Sequence, residues 1–133
     1  MSEDLDLVRS IYADWERGDY TSLAWVDPEI ELVIADLPTA GSWRGLADAE
    51  RVWGDFLAAW QGHRVEIEEY RVLDDGRVLA LGRFTARGRA SGVDMDELAT
   101  RGANVFTVRD GKVVQLVIYF DRGHALADLG LDE

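Results

Sequence analysis

The chain has 133 residues, 26 acidic against 14 basic, a net charge of −12 and no cysteine. That length suits one hydrophobic core without disulfides or structural metals, and the 47% apolar share excludes disorder. Such acidity argues against nucleic-acid or anionic-membrane partners, which call for basic footprints, and no run approaches the ~18 apolar residues of a membrane span.

Leu5, Val8, Ile11/Tyr12 and Trp15 recur at helical spacing, with Glu3, Asp4 and Asp6 in the first turn, where the helix dipole favours acids. Gly18 ends that helix, and Asp19 is expected to cap a short second one through Trp25. Pro28 precedes an extended run, Glu29 to Ala35. A second amphipathic helix follows Gly45, with Leu46, Ala49, Val52/Trp53, Phe56/Leu57 and Trp60 on its apolar face.

Beyond Gly62 the period changes to that of strands. Val65, Ile67, Tyr70 and Val72 break alternation at Glu68-Glu69, the mark of a bulge. Asp75-Gly76 and Asp110-Gly111 are hairpin turns. They predict strands over Val78–Arg89, Leu98–Val108 and Val113–Phe120, with Ser91–Asp94 as the connection between the first two. Asp121 is expected to cap a closing helix whose apolar face is Ala125, Leu126 and Leu129. Helices followed by an antiparallel meander make an α+β fold, one domain over residues 1–133.

The strand Arg77–Arg89 divides into an arginine-rich face and a face of Val78, Ala80, Gly82, Phe84, Ala86 and Gly88. Unpaired buried charge is costly, so the small-residue face is the inner one and leaves room beneath the helices. Either the five tryptophans Trp15, Trp25, Trp43, Trp53 and Trp60 fill that room, or several of them line a pocket for a small hydrophobic molecule. The last strand is apolar on both faces except at Gln115, which predicts a second cover for the sheet, namely another copy in a homodimer. The acidic start, Met1 to Asp6, is unlike a basic signal peptide and suggests a cytoplasmic protein.

Several short motifs occur in a telling order: Tyr12 with Gly18-Asp19, Trp43-Arg44-Gly45, Asp110-Gly111-Lys112-Val113, Tyr119-Phe120-Asp121-Arg122, and the tail Ala125 to Leu131. Together they resemble the SnoaL-like branch of the NTF2-like superfamily over nearly the whole chain. The resemblance implies a curved sheet wrapped around helices into a cone with an apolar pocket, often dimeric; no cofactor is expected, and His63 and His124 lack the spacing of metal ligands. Its members include ketosteroid isomerases, polyketide cyclases and limonene-type epoxide hydrolases.

Carried over residue by residue, the isomerase base position falls on Val33, its protonated-aspartate position on Asn104, and its tyrosine position on Ile11 or Tyr12. The cyclase base falls on Ile118 and the accompanying histidine on Asn104; the hydrolase Asp-Arg-Asp set falls on Phe84, Gly82 and Ile118. Each of the three sets therefore lacks its acid/base residue. Asn104 and Tyr12 remain as hydrogen-bond donors, with Asp36 or Glu31 as carboxylates near the lost base and Asp121 as a helix cap. The expected ligand-binding set is Trp15, Val33, Trp53, Phe56, Trp60, Phe84, Asn104, Phe106, Ile118 and Phe120. Three functions stay open at this point: a binder of a small hydrophobic molecule, a cofactor-free isomerase, cyclase or hydrolase acting on a carbonyl compound, and a non-catalytic dimeric interaction module.

Overall fold

The computed structural model describes residues 3–17, 24–35, 41–88 and 97–131, with the side chains at 56–64, 86–88 and 97–100 left aside. In chain order the elements are α1 (Glu3–Glu16), β1 (Val26–Ile34), β2 (Gly41–Arg44), α2 (Leu46–Ala59), β3 (Trp60–Val72), β4 (Val78–Gly88), β5 (Glu97–Arg109), β6 (Lys112–Tyr119) and α3 (Arg122–Leu129). The six strands form one curved sheet in the order β2-β1-β6-β5-β4-β3. Strands β3 to β6 are the expected antiparallel meander. The sheet is nevertheless mixed, because β1 lies parallel to β6. The short edge strand β2 pairs Trp43 with Leu32, where the sequence pattern had suggested only a lead into α2.

Helix α1 buries Val8, Ile11, Tyr12 and Trp15, the face its spacing predicts. These side chains pack with Ile30 and Leu32 of β1, Ala49 of α2, Val78 and Ala80 of β4, Phe106 of β5 and Leu116 of β6. That cluster lies on the concave side of the sheet. The short helix expected between Asp19 and Trp25 falls mostly outside the described residues; Ala24 and Trp25 themselves form a turn that leads directly into β1.

The bulge at Glu68 is present: β3 pairs Ile67 with Gly82 and then Glu69 with Leu81, leaving Glu68 as the extra residue. Asp110 and Gly111 both have positive φ, 53° and 76°, the geometry of a tight two-residue hairpin.

A second cluster lies on the convex side, where Leu79, Leu81, Ala103, Val105 and Tyr119 meet Ala125 and Leu126 of α3. This helix therefore supplies much of the second cover that the apolar last strand requires, a role the sequence pattern had given to a second copy. Asp121 caps α3 by accepting from the Gly123 amide at 3.1 Å. Arg122 ties the start of α3 to the bulge, its Nη2 donating to Glu68 Oε1 at 2.6 Å.

Candidate functional site

The strand β4 is the floor of the site. Its concave face carries Val78, Ala80, Gly82 and Phe84, while Leu79 and Leu81 face the convex cluster and Arg83 is exposed. In the next strand the matching residues are Phe106, Asn104, Gly102 and Thr100, paired with Val78, Ala80, Gly82 and Phe84 respectively. Small side chains thus adjoin across two neighbouring strands. The glycines have a further cause: a Cβ built on Gly82 would lie 2.4 Å from the Glu66 carbonyl oxygen, and one on Gly102 2.4 Å from that of Tyr119. Such contacts are forbidden to a real side chain, so glycine is required where the sheet backbones approach so closely.

Between this floor and the helices lies a recess walled by Trp15 and Trp53 from the helices, Leu32 and Ile34 from β1, Val65 and Ile67 from β3, and Ile118 and Phe120 from the last strand and its end. The volume open to the centre of a water-sized sphere is about 70 Å³. One water needs roughly 10–15 Å³ on that measure, so the recess holds more than a stray solvent molecule. Trp15 and Trp53 wall this space, while Trp25 and Trp43 stand outside its lining. Trp15 and Trp53 lie with ring centroids 5.4 Å apart, tilted 31°, and Trp15 meets Trp25 edge-on at 6.1 Å. Phe84 and Phe120 form a second edge-to-face pair at 6.4 Å.

Among the lining residues Asn104 is the one carboxamide and Arg83 the one cation. Its Nδ2 donates to the Tyr12 hydroxyl at 2.5 Å, joining two residues 92 positions apart. Tyr12 is only 1% exposed, enclosed by Trp15, Tyr70 and Phe106. Burial pushes its phenol pKa far above the ordinary 10, against the opposing pull of the Asn104 hydrogen bond, with Tyr70 adding to the rise. Tyr12 is therefore a neutral phenol, and it stands behind Asn104 instead of lining the recess itself.

Trp15, Trp53, Phe84, Asn104, Ile118 and Phe120 of the expected ligand set line the recess. Val33 does not. Leu32 and Ile34 face inward on either side of it, and alternation along β1 turns Val33 to the other face. Phe106 is fully buried in the core beneath the recess and outside its lining. Phe56 and Trp60 fall within α2 and β3, with side chains among those not described, and Asp36 lies outside the described residues. Glu31 faces away from the recess, accepting from Gln115 Nε2 at 2.8 Å, with Arg44 at 4.0 Å. Asp121 is occupied as the α3 cap.

Leu32, Ile34, Val65, Ile67 and Gly102 were not singled out in the sequence. Alternation counted from the β1–β6 register would have found the first two. Whichever register is taken for the lost isomerase base, Leu32, Val33 or Ile34 stands there, and each is apolar. Among the described residues the lining contains no aspartate, glutamate or histidine.

Residues 8–116 match the SnoaL-like domain family. An uncharacterized protein of Mycobacterium tuberculosis is 32% identical over 120 residues, 88% of either chain. Among solved structures, an NTF2-like protein of Burkholderia thailandensis has a TM-score of 0.74 at 26% identity, covering 99% of this chain and 100% of its own. TerC, crystallised with polyporic acid, has a TM-score of 0.71 at 21% identity over 96% and 98% of the two chains. A candidate polyketide cyclase of Xanthomonas campestris has a TM-score of 0.72 at 21% identity over 93% and 94%. At that level of identity the last two likenesses speak to the fold alone.

Proposed function

The chain belongs to the SnoaL-like domain family, and from that premise we propose that it is a single-domain binder of a small, flat, hydrophobic molecule held in the recess between α1, α2 and the concave sheet. The observation that carries this reading is a largely apolar space with aromatic walls, a carboxamide at its floor and Arg83 as the one charged residue of its lining, with no carboxylate or imidazole among its described lining residues. Ligand pockets have this composition, largely apolar with few polar groups placed for orientation. The acidic chain, which has no helix among its described residues long and apolar enough to cross a membrane, fits a cytoplasmic setting.

The test is calorimetric titration with naphthalene, a flat guest without hydrogen-bonding groups, on the wild type and on Ala80→Leu. Ala80 is 1% exposed and lines the recess, so a larger side chain there occupies the guest's space. Binding by the wild type and its loss in a folded Ala80→Leu variant is the expected result. Equal binding by both, or none by the wild type, would sink the proposal.

A second reading rests on the pairing of Asn104 with Tyr12, the two positions where the resemblance implies oxyanion donors. A carboxamide N–H can polarise a ligand carbonyl, and Asp36 follows β1 closely enough in sequence to serve as a base. Exchange of deuterium for the α-hydrogens of 2-tetralone, catalysed by the wild type and lost in Asp36→Asn, would favour this enzyme reading; exchange at the uncatalysed rate would discard it.

The convex side of β1 and β6, where Val33 pairs with Val117 at the border of the α3 cluster, is the surface proposed for a homodimer. A sedimentation mass that drops from two chains to one in Val117→Glu is the expected outcome. A monomeric wild type would remove this proposal and the interaction-module alternative with it.

A further inference from the structure

The bond between Asn104 and Tyr12 decides what the recess asks of its guest. A carboxamide carries two N–H donors and one acceptor oxygen. Tyr12 engages Nδ2 from behind the lining, and no other described group takes a side-chain hydrogen bond from Asn104. One N–H and the oxygen Oδ1 are left for whatever fills the space. Tyr12 cannot compete for the guest, because it is 1% exposed and held within its ring cluster. Its own neutral state keeps it from acting as a negative charge in the recess.

We propose that the ligand is a neutral, planar molecule whose edge offers a hydrogen-bond donor beside an acceptor, as in a cyclic lactam, and that Asn104 reads both groups with Tyr12 as its positioning residue. The inference rests on the ligand-binding reading above and narrows it to a chemical class. It separates this site from one built to stabilise an oxyanion, where two donors and no acceptor face the ligand. An oxyanion or carboxylate guest would meet Oδ1 as a repelling lone pair, whereas a lactam-type edge satisfies both exposed groups. The aromatic rings of Trp15, Trp53, Phe84 and Phe120 flank such an edge with flat apolar surface.

Three two-ring probes of nearly equal shape test this: 2-quinolone, with N–H beside C=O; coumarin, with a ring oxygen in place of that N–H; and naphthalene, with neither. Affinities are measured by calorimetry on the wild type, Asn104→Leu and Tyr12→Phe. In the wild type 2-quinolone is expected to bind about tenfold or more tighter than coumarin, the scale of one buried acceptor otherwise left unpaired. Asn104→Leu abolishes that preference while naphthalene affinity is retained. Tyr12→Phe reduces the preference, with naphthalene again unaffected, which a merely structural hydroxyl would not do.

Naphthalene bound and coumarin equal to 2-quinolone is the signature of two donors facing the guest, and it overturns the inference while the ligand-binding reading stands. Failure of all three probes to bind the folded wild type removes the ligand-binding reading itself.

Discussion

Gly82 and Gly102 face each other across the β4–β5 ladder, and a side chain on either would collide with the backbone of the next strand outward, Glu66 on one side and Tyr119 on the other. The row they form also lies in the lining of the recess. Gly82→Ala and Gly102→Ala are each expected to destabilise the protein by about 1–3 kcal/mol, the range for forcing extra atoms into a packed site. Urea midpoints measure it. Midpoints equal to the wild type would show that the backbone relaxes freely and that the glycines serve only to leave space.

That double role explains what the sequence could and could not tell. Alternation along Val78–Phe84 placed the small residues on the inner face, because the arginines opposite them could not be buried unpaired; that Leu79 and Leu81 on the arginine side enter a second core was not foreseen. The close approach of neighbouring backbones at Gly82 leaves no mark in its own strand; it depends on Glu66 and Tyr119, far away in the chain. Asn104 was legible because an amide on the inner face beside the apolar Phe106 and Val108 is conspicuous. Its hydrogen bond to Tyr12 was not foreseen, since the resemblance offered the two only as separate donors toward a ligand. Val33 was misplaced by one residue, and in a strand one residue reverses the face. The parallel β1–β6 pairing and the cover by α3 were beyond reach, since both are long-range contacts with no local signature.

Tyr12 makes stability depend on pH at the alkaline end. Its pKa is raised in the folded state, chiefly by burial, so the fold favours the protonated phenol. That contribution is fully present below the unfolded value of about 10 and is lost as pH climbs above it. The wild-type urea midpoint is therefore expected to fall between pH 9 and 11 more steeply than that of Tyr12→Phe, which has no proton to lose. Parallel slopes would show that other groups, Tyr70 among them, account for the alkaline loss. At neutral pH the same substitution should cost about 1 kcal/mol for the missing hydrogen bond to Asn104.

Glu68 and Arg122 give the opposite sign at the acid end. The Arg122 hydrogen bond holds the Glu68 carboxyl below its ordinary range, outweighing partial desolvation, and Arg101 contributes in the same direction. A lowered carboxylate pKa stabilises the fold above the unfolded value and ceases to do so as pH falls through the folded one. The carboxylate is open to solvent, so the effect should be local and should weaken with added salt. Amide hydrogen exchange in α3 is the sensitive readout: Glu68→Gln should speed exchange at Ala125 and Leu126 near neutral pH. Unchanged protection would mean that apolar packing alone docks the helix.

The two faces of the sheet should be separable in their effects. Leu126 is 3% exposed and packs against Leu79, Leu81 and Val105 on the convex side, and no α3 residue is part of the recess lining. Leu126→Ala leaves a cavity in that cluster and should cost about 2–5 kcal/mol. Asp121→Ala removes only the cap bond to Gly123 and should cost about 1 kcal/mol. Both losses are read from urea midpoints, and naphthalene affinity measured well below the unfolding transition should stay within about twofold of the wild type, a difference under 0.5 kcal/mol. The strands are shared between the faces, with Ala103 and Tyr119 touching both, so this independence is a real demand on the structure. A Leu126→Ala variant that stays folded yet binds naphthalene many times more weakly would show that α3 shapes the recess through those strands.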